Sequence, residues 1–265
     1  MTAASILAKS RGLGTVAPSE PIMQHAAMDF SVMRGATLYQ AGANVQVNKA
    51  LYEQLSKLHE AGINTIRVPV SFQAHVTAQA PYVVEEGWIG QIASFLEQAF
   101  QNGFRVILSV RMDGFESQDA ASAMRYAALW EKLDEGFAHR PITELWYELD
   151  AAPGDASDQT WNDVCLQIVR NVRKEKQRNV MIALPENVQA ESQNSFFWVA
   201  GQMGLTLGVP YRADMPEEQW QNLQGRVQTL ETNLVLFAPE NGADDAAALT
   251  QTAEKYGFGS VIRAN

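Results

Sequence analysis

Eight short apolar runs of strand type recur along the chain, and seven stretches with helical spacing lie between them. No other feature limits the fold as tightly. The strand runs are VMRGATLY (32–39), NTIRVPV (64–70), FRVILSV (104–110), ELWYELD (144–150), NVMIALP (179–185), LTLGV (205–209), NLVLFA (233–238) and GSVIRAN (259–265). The intervening helices are expected over 47–62, 88–102, 118–138, 159–175, 191–203, 216–229 and 243–256. In the first of them Leu51, Leu55 and Leu58 share a face and Gly62 marks the stop. In the second, Ile89, Ile92, Phe95, Leu96 and Phe100 do so ahead of Gly103. The third strand run is almost wholly apolar, as a parallel strand covered on both faces must be.

Strict alternation of this kind builds an α/β fold with a parallel sheet. No GxGxxG follows the first strand, so the dinucleotide-binding open sheet loses its main sequence support. A length of 265 residues with eight βα alternations fits one (β/α)8 TIM barrel. The expected organisation is a loose tail over residues 1–28, small and polar, followed by a single barrel domain over 29–265. The chain stops at its eighth strand, so the expected barrel lacks its last helix or has the tail in that place.

The bulk numbers exclude several classes of function. The net charge of −10 disfavours nucleic acid and anionic membranes as partners, because both would repel the chain. Cys165, the one cysteine, leaves no disulfide framework within the chain and no thiolate zinc site. The four histidines are scattered without metal-ligand spacing, and no cofactor is expected. No apolar run approaches the roughly 20 residues that span a bilayer. The N-terminal apolar stretch is too short for a secretory signal. A cytoplasmic location is therefore expected, and a secreted or periplasmic one if a signal has been removed.

In a barrel of this kind chemistry belongs at the C-terminal ends of the strands. There the sequence supplies Arg67, Arg111 with Asp113, Glu148 with Asp150, Tyr211 and Glu240. Alternation puts Glu148, Asp150 and Ala152 on one side of the fourth strand. A carboxylate as deep as Glu148 needs a cation, and an inward Arg67 or Arg111 is the obvious partner.

Three segments carry a family resemblance. GINTIRVPVSFQAH (62–75), APYVVEEGWIGQIASFLEQAFQNGFRVILSV (80–110) and TWNDVCLQIVRNVRKEKQRNVMIA (160–183) resemble, in order and spacing, the cellulase-type enzymes of glycoside hydrolase family 5. The likeness runs from about residue 33 to residue 263. It implies retaining hydrolysis by two carboxylates about 5–5.5 Å apart across the glycosidic bond. It also implies an acid/base in an Asn-Glu-Pro ending to the fourth strand. YELDAAP (147–153) is similar to that run in register, but Ala151 holds the Asn position and Ala152 the acid/base position. The resemblance further implies a nucleophile at Glu240, with Arg67 and Tyr211 where the family has the residues that hydrogen-bond it. Arg111 and Met112 replace a histidine pair, while Asp113 and Gly114 still match. VIRAN replaces the stretch that carries a tryptophan platform.

Three functional readings follow. In the first, the barrel is a pseudoenzyme that has lost hydrolase activity and binds a glycan or a protein partner. In the second, it is a divergent retaining endoglucanase-like hydrolase acting on a β-linked polysaccharide or oligosaccharide, with Asp150 as a displaced acid. In the third, it is a scaffold or interaction protein, self-association included.

Overall fold

The computed structural model of the chain describes residues 30–39, 49–111, 120–149, 158–173, 180–183, 200, 203–239 and 245–264. Its eight parallel strands close into a barrel in chain order. They are β1 (Arg34–Thr37), β2 (Thr65–Ser71), β3 (Arg105–Arg111), β4 (Leu145–Leu149), β5 (Val180–Ala183), β6 (Thr206–Pro210), β7 (Asn233–Phe237) and β8 (Gly259–Arg263), the last pairing back onto β1. The described helices between them are α1 (Lys49–Glu60), α2 (Glu86–Gln101), α3 (Ala120–Phe137), α4 (Asp158–Val172), α5 (Glu217–Thr229) and α6 (Ala246–Tyr256). The α/β class and the (β/α)8 barrel expected from the sequence are what the structure shows. Of the helix expected over 191–203, Ala200 and Met203 are described and are helical; the rest lies outside the described residues. So does the expected N-terminal tail.

Alternation along the strands creates two apolar layers. Outward positions such as Ile66, Val68 and Val70 on β2 and Val106, Leu108 and Val110 on β3 pack under the helices, against Leu55, Ile92, Phe95 and Leu96. Inward positions form a separate cluster inside the barrel, with Ile107, Trp146, Met181, Val235, Phe237 and Val261. Phe30 and Met33 join this inner cluster from a 3-10 turn over Phe30–Val32, and the Phe30 ring lies 5.0 Å from that of Trp146. The sequence pattern runs strand straight through this turn from residue 32, because Val32 and Met33 are apolar. The turn instead directs Phe30 at a partner more than a hundred residues away.

Helix ends set where strands begin. The Asp245 side chain accepts from the Ala248 N–H at 3.0 Å, capping α6, and Gly257 closes it with φ +74°. Phe258 then leads directly into β8. Asn64 plays a comparable part before β2: its side chain accepts from the Arg34 N–H at 3.1 Å and donates to the Val32 carbonyl at 2.8 Å.

Inside the barrel, one glycine is dictated by a neighbour's bulk. A Cβ at Gly208 would stand 2.2 Å from Cε2 of Phe237. Gly208→Ala is expected to destabilise the protein by about 1–3 kcal/mol through overpacking. Gly90→Ala, on the exposed face of α2 with nothing within 4 Å of the added carbon, is expected to stabilise it by about 0.5–1 kcal/mol. Urea denaturation midpoints of the two variants check both signs.

Candidate functional site

The C-terminal half of the barrel interior is polar where the N-terminal half is apolar. At its centre Glu148 of β4 has no exposed surface and Arg67 of β2 is 7% exposed. Arg67 Nε donates to Glu148 Oε2 at 2.7 Å and Nη2 donates to Oε1 at 2.5 Å. The Ser109 hydroxyl, on β3 between them, donates to Oε1 at 3.1 Å and accepts from Arg67 Nη2 at 3.3 Å. Strand register makes this meeting possible, since Pro69 aligns with Ser109 and Ser109 with Glu148. On its other side the guanidinium lies over the Phe237 ring, 4.7 Å from the centroid. The demand of a buried carboxylate for a cation is thus met by Arg67, one of the two candidates the sequence offered.

The rim is built by the segment after β2. A short 3-10 turn over Gln73–His75 leads to an antiparallel bridge between Val76 and Val84. From α3, Arg125 donates to the carbonyls of Gln73, at 2.7 Å, and Val76, and its guanidinium covers the Phe72 ring. His75 Nδ1 meets Glu85 Oε2 at 2.7 Å, and the imidazole stacks on Trp88 with centroids 5.1 Å apart. Trp88 is therefore packing, and His75 holds the rim. Among the described residues no three His, Cys, Asp or Glu side chains come together as metal ligands. Cys165 is buried, and burial pushes its thiol well above the ordinary range.

The other candidates separate. Arg111 ends β3 on the inward parity of Ser109, partly buried at the mouth. Tyr211 does not join Arg67. Register pairs inward Pro210 with Phe237, so Val209 and Tyr211 fall on the outward side. The Tyr211 ring stacks on Trp220 of α5 at 5.9 Å, and its N–H donates to the Phe237 carbonyl at 2.7 Å. The carboxylate that Tyr211 was expected to support, Glu240, lies outside the described residues. Asp113, Asp150, Ala152 and Glu240 lie outside the described residues.

The structure also brings in residues that the sequence reading missed. Ser109 completes the ion pair and Phe237 carries the guanidinium. Arg263, the last residue of β8, aligns with Thr37 of β1 and shares the inward parity of Val261. Its Nη2 donates to the Pro239 carbonyl at 3.3 Å, and its guanidinium sits over the Tyr39 ring, 5.5 Å from the centroid. Counting two residues on from an apolar inward position was the signal available for Arg263.

A closed parallel (β/α)8 barrel with a polar, charged mouth at its C-terminal end is the architecture of a large class of barrel enzymes. The chain belongs within it to glycosyl hydrolase family 5: the family model described as "Cellulase (glycosyl hydrolase family 5)" matches residues 35–224. Relatives include Endoglucanase A of Paenibacillus barcinonensis, 32% identical over 65 residues, and Endoglucanase A of Ruminococcus albus, 25% identical over 120 residues. Those matches cover 24% and 43% of this chain but only 16% and 33% of the relatives' own lengths. Among solved structures, Thermotoga maritima Cel5A in complex with a mannotriose substrate aligns with TM-score 0.68 at 15% identity, over 88% of this chain and 90% of that one. The cellulose synthase subunit Z of Clostridioides difficile aligns with TM-score 0.67 at 14% identity, over 88% and 91%. At such identities these two structures speak for the fold.

Removing one partner of the central ion pair leaves the other buried and uncompensated. Glu148→Leu is expected to cost about 3–5 kcal/mol, while the double variant Arg67→Met/Glu148→Leu recovers most of that loss. A double-mutant cycle by urea denaturation measures the coupling.

Proposed function

We propose that this family-5 barrel binds a β-linked polysaccharide or oligosaccharide at its mouth without hydrolysing it. One observation carries the reading. Glu148, the carboxylate that the described part of β4 contributes to the barrel interior, has no exposed surface, and both its oxygens are taken by Arg67 and Ser109. It has no access to a glycosidic oxygen. Beyond it the sequence offers Ala151 and Ala152 where the family resemblance puts an asparagine and the acid/base. General acid assistance contributes about 10²–10⁴-fold, and alanine supplies none of it. Asp150 precedes Ala152 by two positions in the sequence, and residues two apart on a strand are about 6.5–7 Å apart. The family match ends at residue 224, before β7 and β8.

The rival reading is a divergent retaining hydrolase. Membership of the family and the endoglucanase names of its relatives favour it. Glu240 would then be the nucleophile and Asp150 the displaced acid.

Reducing-sugar release from soluble β-glucan, mannan and xylan separates the two. The expected result is no release above buffer, with retardation of the protein in gels containing one of these polymers. Hydrolysis that disappears in Glu240→Ala would establish the rival. An aryl glycoside with a good leaving group adds a finer readout, because it needs little acid help. A burst of phenol, followed by turnover that azide accelerates by displacing the sugar from the glycosyl-enzyme, would reveal a working nucleophile at Glu240.

A further inference from the structure

Helix α2 ends in a turn whose two structural demands meet in one dipeptide, Asn102–Gly103. The Gly103 N–H donates to the Phe100 carbonyl at 2.9 Å and the Phe104 N–H to that of Ala99 at 3.0 Å, the paired bonds of a Schellman cap. Such a cap needs a left-handed residue, and Gly103 supplies it with φ +80°. Space is not the reason for the glycine, since an added Cβ would meet nothing nearer than Cε1 of His59 at 3.8 Å. Asn102 contributes the other half of the cap. Its backbone N–H and its side-chain Nδ2 both donate to the Gln98 carbonyl, at 3.2 and 2.8 Å.

An asparagine followed by glycine is also the pair in which a side-chain amide cyclises most readily, because glycine has no Cβ to shield its backbone nitrogen. In that reaction the Gly103 N–H gives its proton to hydroxide and the nitrogen bonds to Asn102 Cγ. The Cγ–Nδ2 bond breaks, and Nδ2 leaves as ammonia after taking a proton from water. Water then opens the succinimide at either carbonyl, leaving aspartate, or isoaspartate with the main chain routed through Cβ. The folded geometry forbids the first of these steps. Ring closure needs Cβ and the Gly103 nitrogen eclipsed about the Asn102 Cα–C bond. At ψ 8° the Asn102 nitrogen takes that place and Cβ is turned away. The Gly103 proton is held by the Phe100 carbonyl, and Nδ2 by that of Gln98.

We infer that Asn102 is a conditional modification site, closed in the folded barrel and reactive only when the C-terminal turn of α2 opens. The inference is independent of what the mouth binds. A reacted chain does not rebuild the same cap. Either product places a carboxylate at a helix C-terminus, where the backbone dipoles already concentrate negative charge, and the Nδ2 donor to Gln98 is lost. Isoaspartate also lengthens the main chain inside the hydrogen-bonded turn. Opening is reversible and deamidation is not, so the dipeptide converts openings of this turn into a lasting loss of stability.

Peptide mass mapping of the full chain tests it. Trypsin yields the segment 68–105, in which Asn102 is the single asparagine, and the exchange of an amide for an acid is read from its mass. The chain is aged in mildly alkaline buffer, with and without urea above its unfolding midpoint. The unfolded chain is expected to convert about ten-fold faster or more, the scale set by even a modest free energy of opening. Asn102→Asp, which adds the charge, is expected to have a lower urea midpoint than Asn102→Ala, which removes only the side-chain donor. Equal conversion of the folded and unfolded chains would overturn the protection. Absence of conversion in urea would overturn the site itself. An Asn102→Asp variant as stable as Asn102→Ala would overturn the loss of stability through charge at the cap.

Discussion

Burying a carboxylate completely inside a barrel obliges the surrounding strands to deliver a cation and further donors to one point. Glu148 on β4 imposes that demand, and β2 and β3 meet it with Arg67 and Ser109. Because side chains alternate along a strand, slipping β4 by one residue would turn Glu148 into the apolar layer beneath the helices and Tyr147 into the barrel. The ion pair therefore fixes the register of three neighbouring strands as well as satisfying a charge. Its influence continues across the interior. Arg67 rests on Phe237 of β7, and the Phe237 ring lies so close to Gly208 of β6 that a single methyl there would clash. A chain of contacts thus runs from β4 through β2 to β7 and β6.

Much of the fold was legible because two layers of apolar packing leave a repeating trace. Every strand must be apolar outward to meet the helices, and several are apolar inward as well, so the runs are short, dense and separated by helical spacing. Glycines at helix ends sharpened the boundaries, and Gly62, Gly103 and Gly257 all adopt positive φ. The observed strands each fall inside the expected run or within one residue of it. The N-terminal plug escaped because it is a tertiary feature. Phe30 and Met33 acquire their meaning only from Trp146 and Gly259, which local pattern cannot bring near.

The site was legible to the depth at which electrostatics alone decides. A carboxylate on the inward side of β4 had to find an arginine, and it did. For Tyr211, likeness to a family motif carries no information on side-chain direction once the strand has ended. Pro210 keeps the inward phase, so the next residue turns out toward Trp220. Arg263 was passed over for a related reason: the stretch around it was compared with an aromatic platform and found wanting, instead of being read for what it contains.

Three departures from the family pattern fall at strand ends. Where the resemblance places an acid, the chain has Ala152, and where it places a histidine, the chain has Arg111. The stretch aligned with an aromatic platform holds Arg263 and no aromatic ring. Each of these three replacements removes a carboxylate or introduces a guanidinium at its own position in the sequence, although the chain as a whole is acidic. Alanine at the position where the resemblance puts a proton donor has no functional group of its own, whereas Arg263 takes a defined place between the Pro239 carbonyl and the Tyr39 ring, so a departure from the family pattern at a strand end can carry structure of its own.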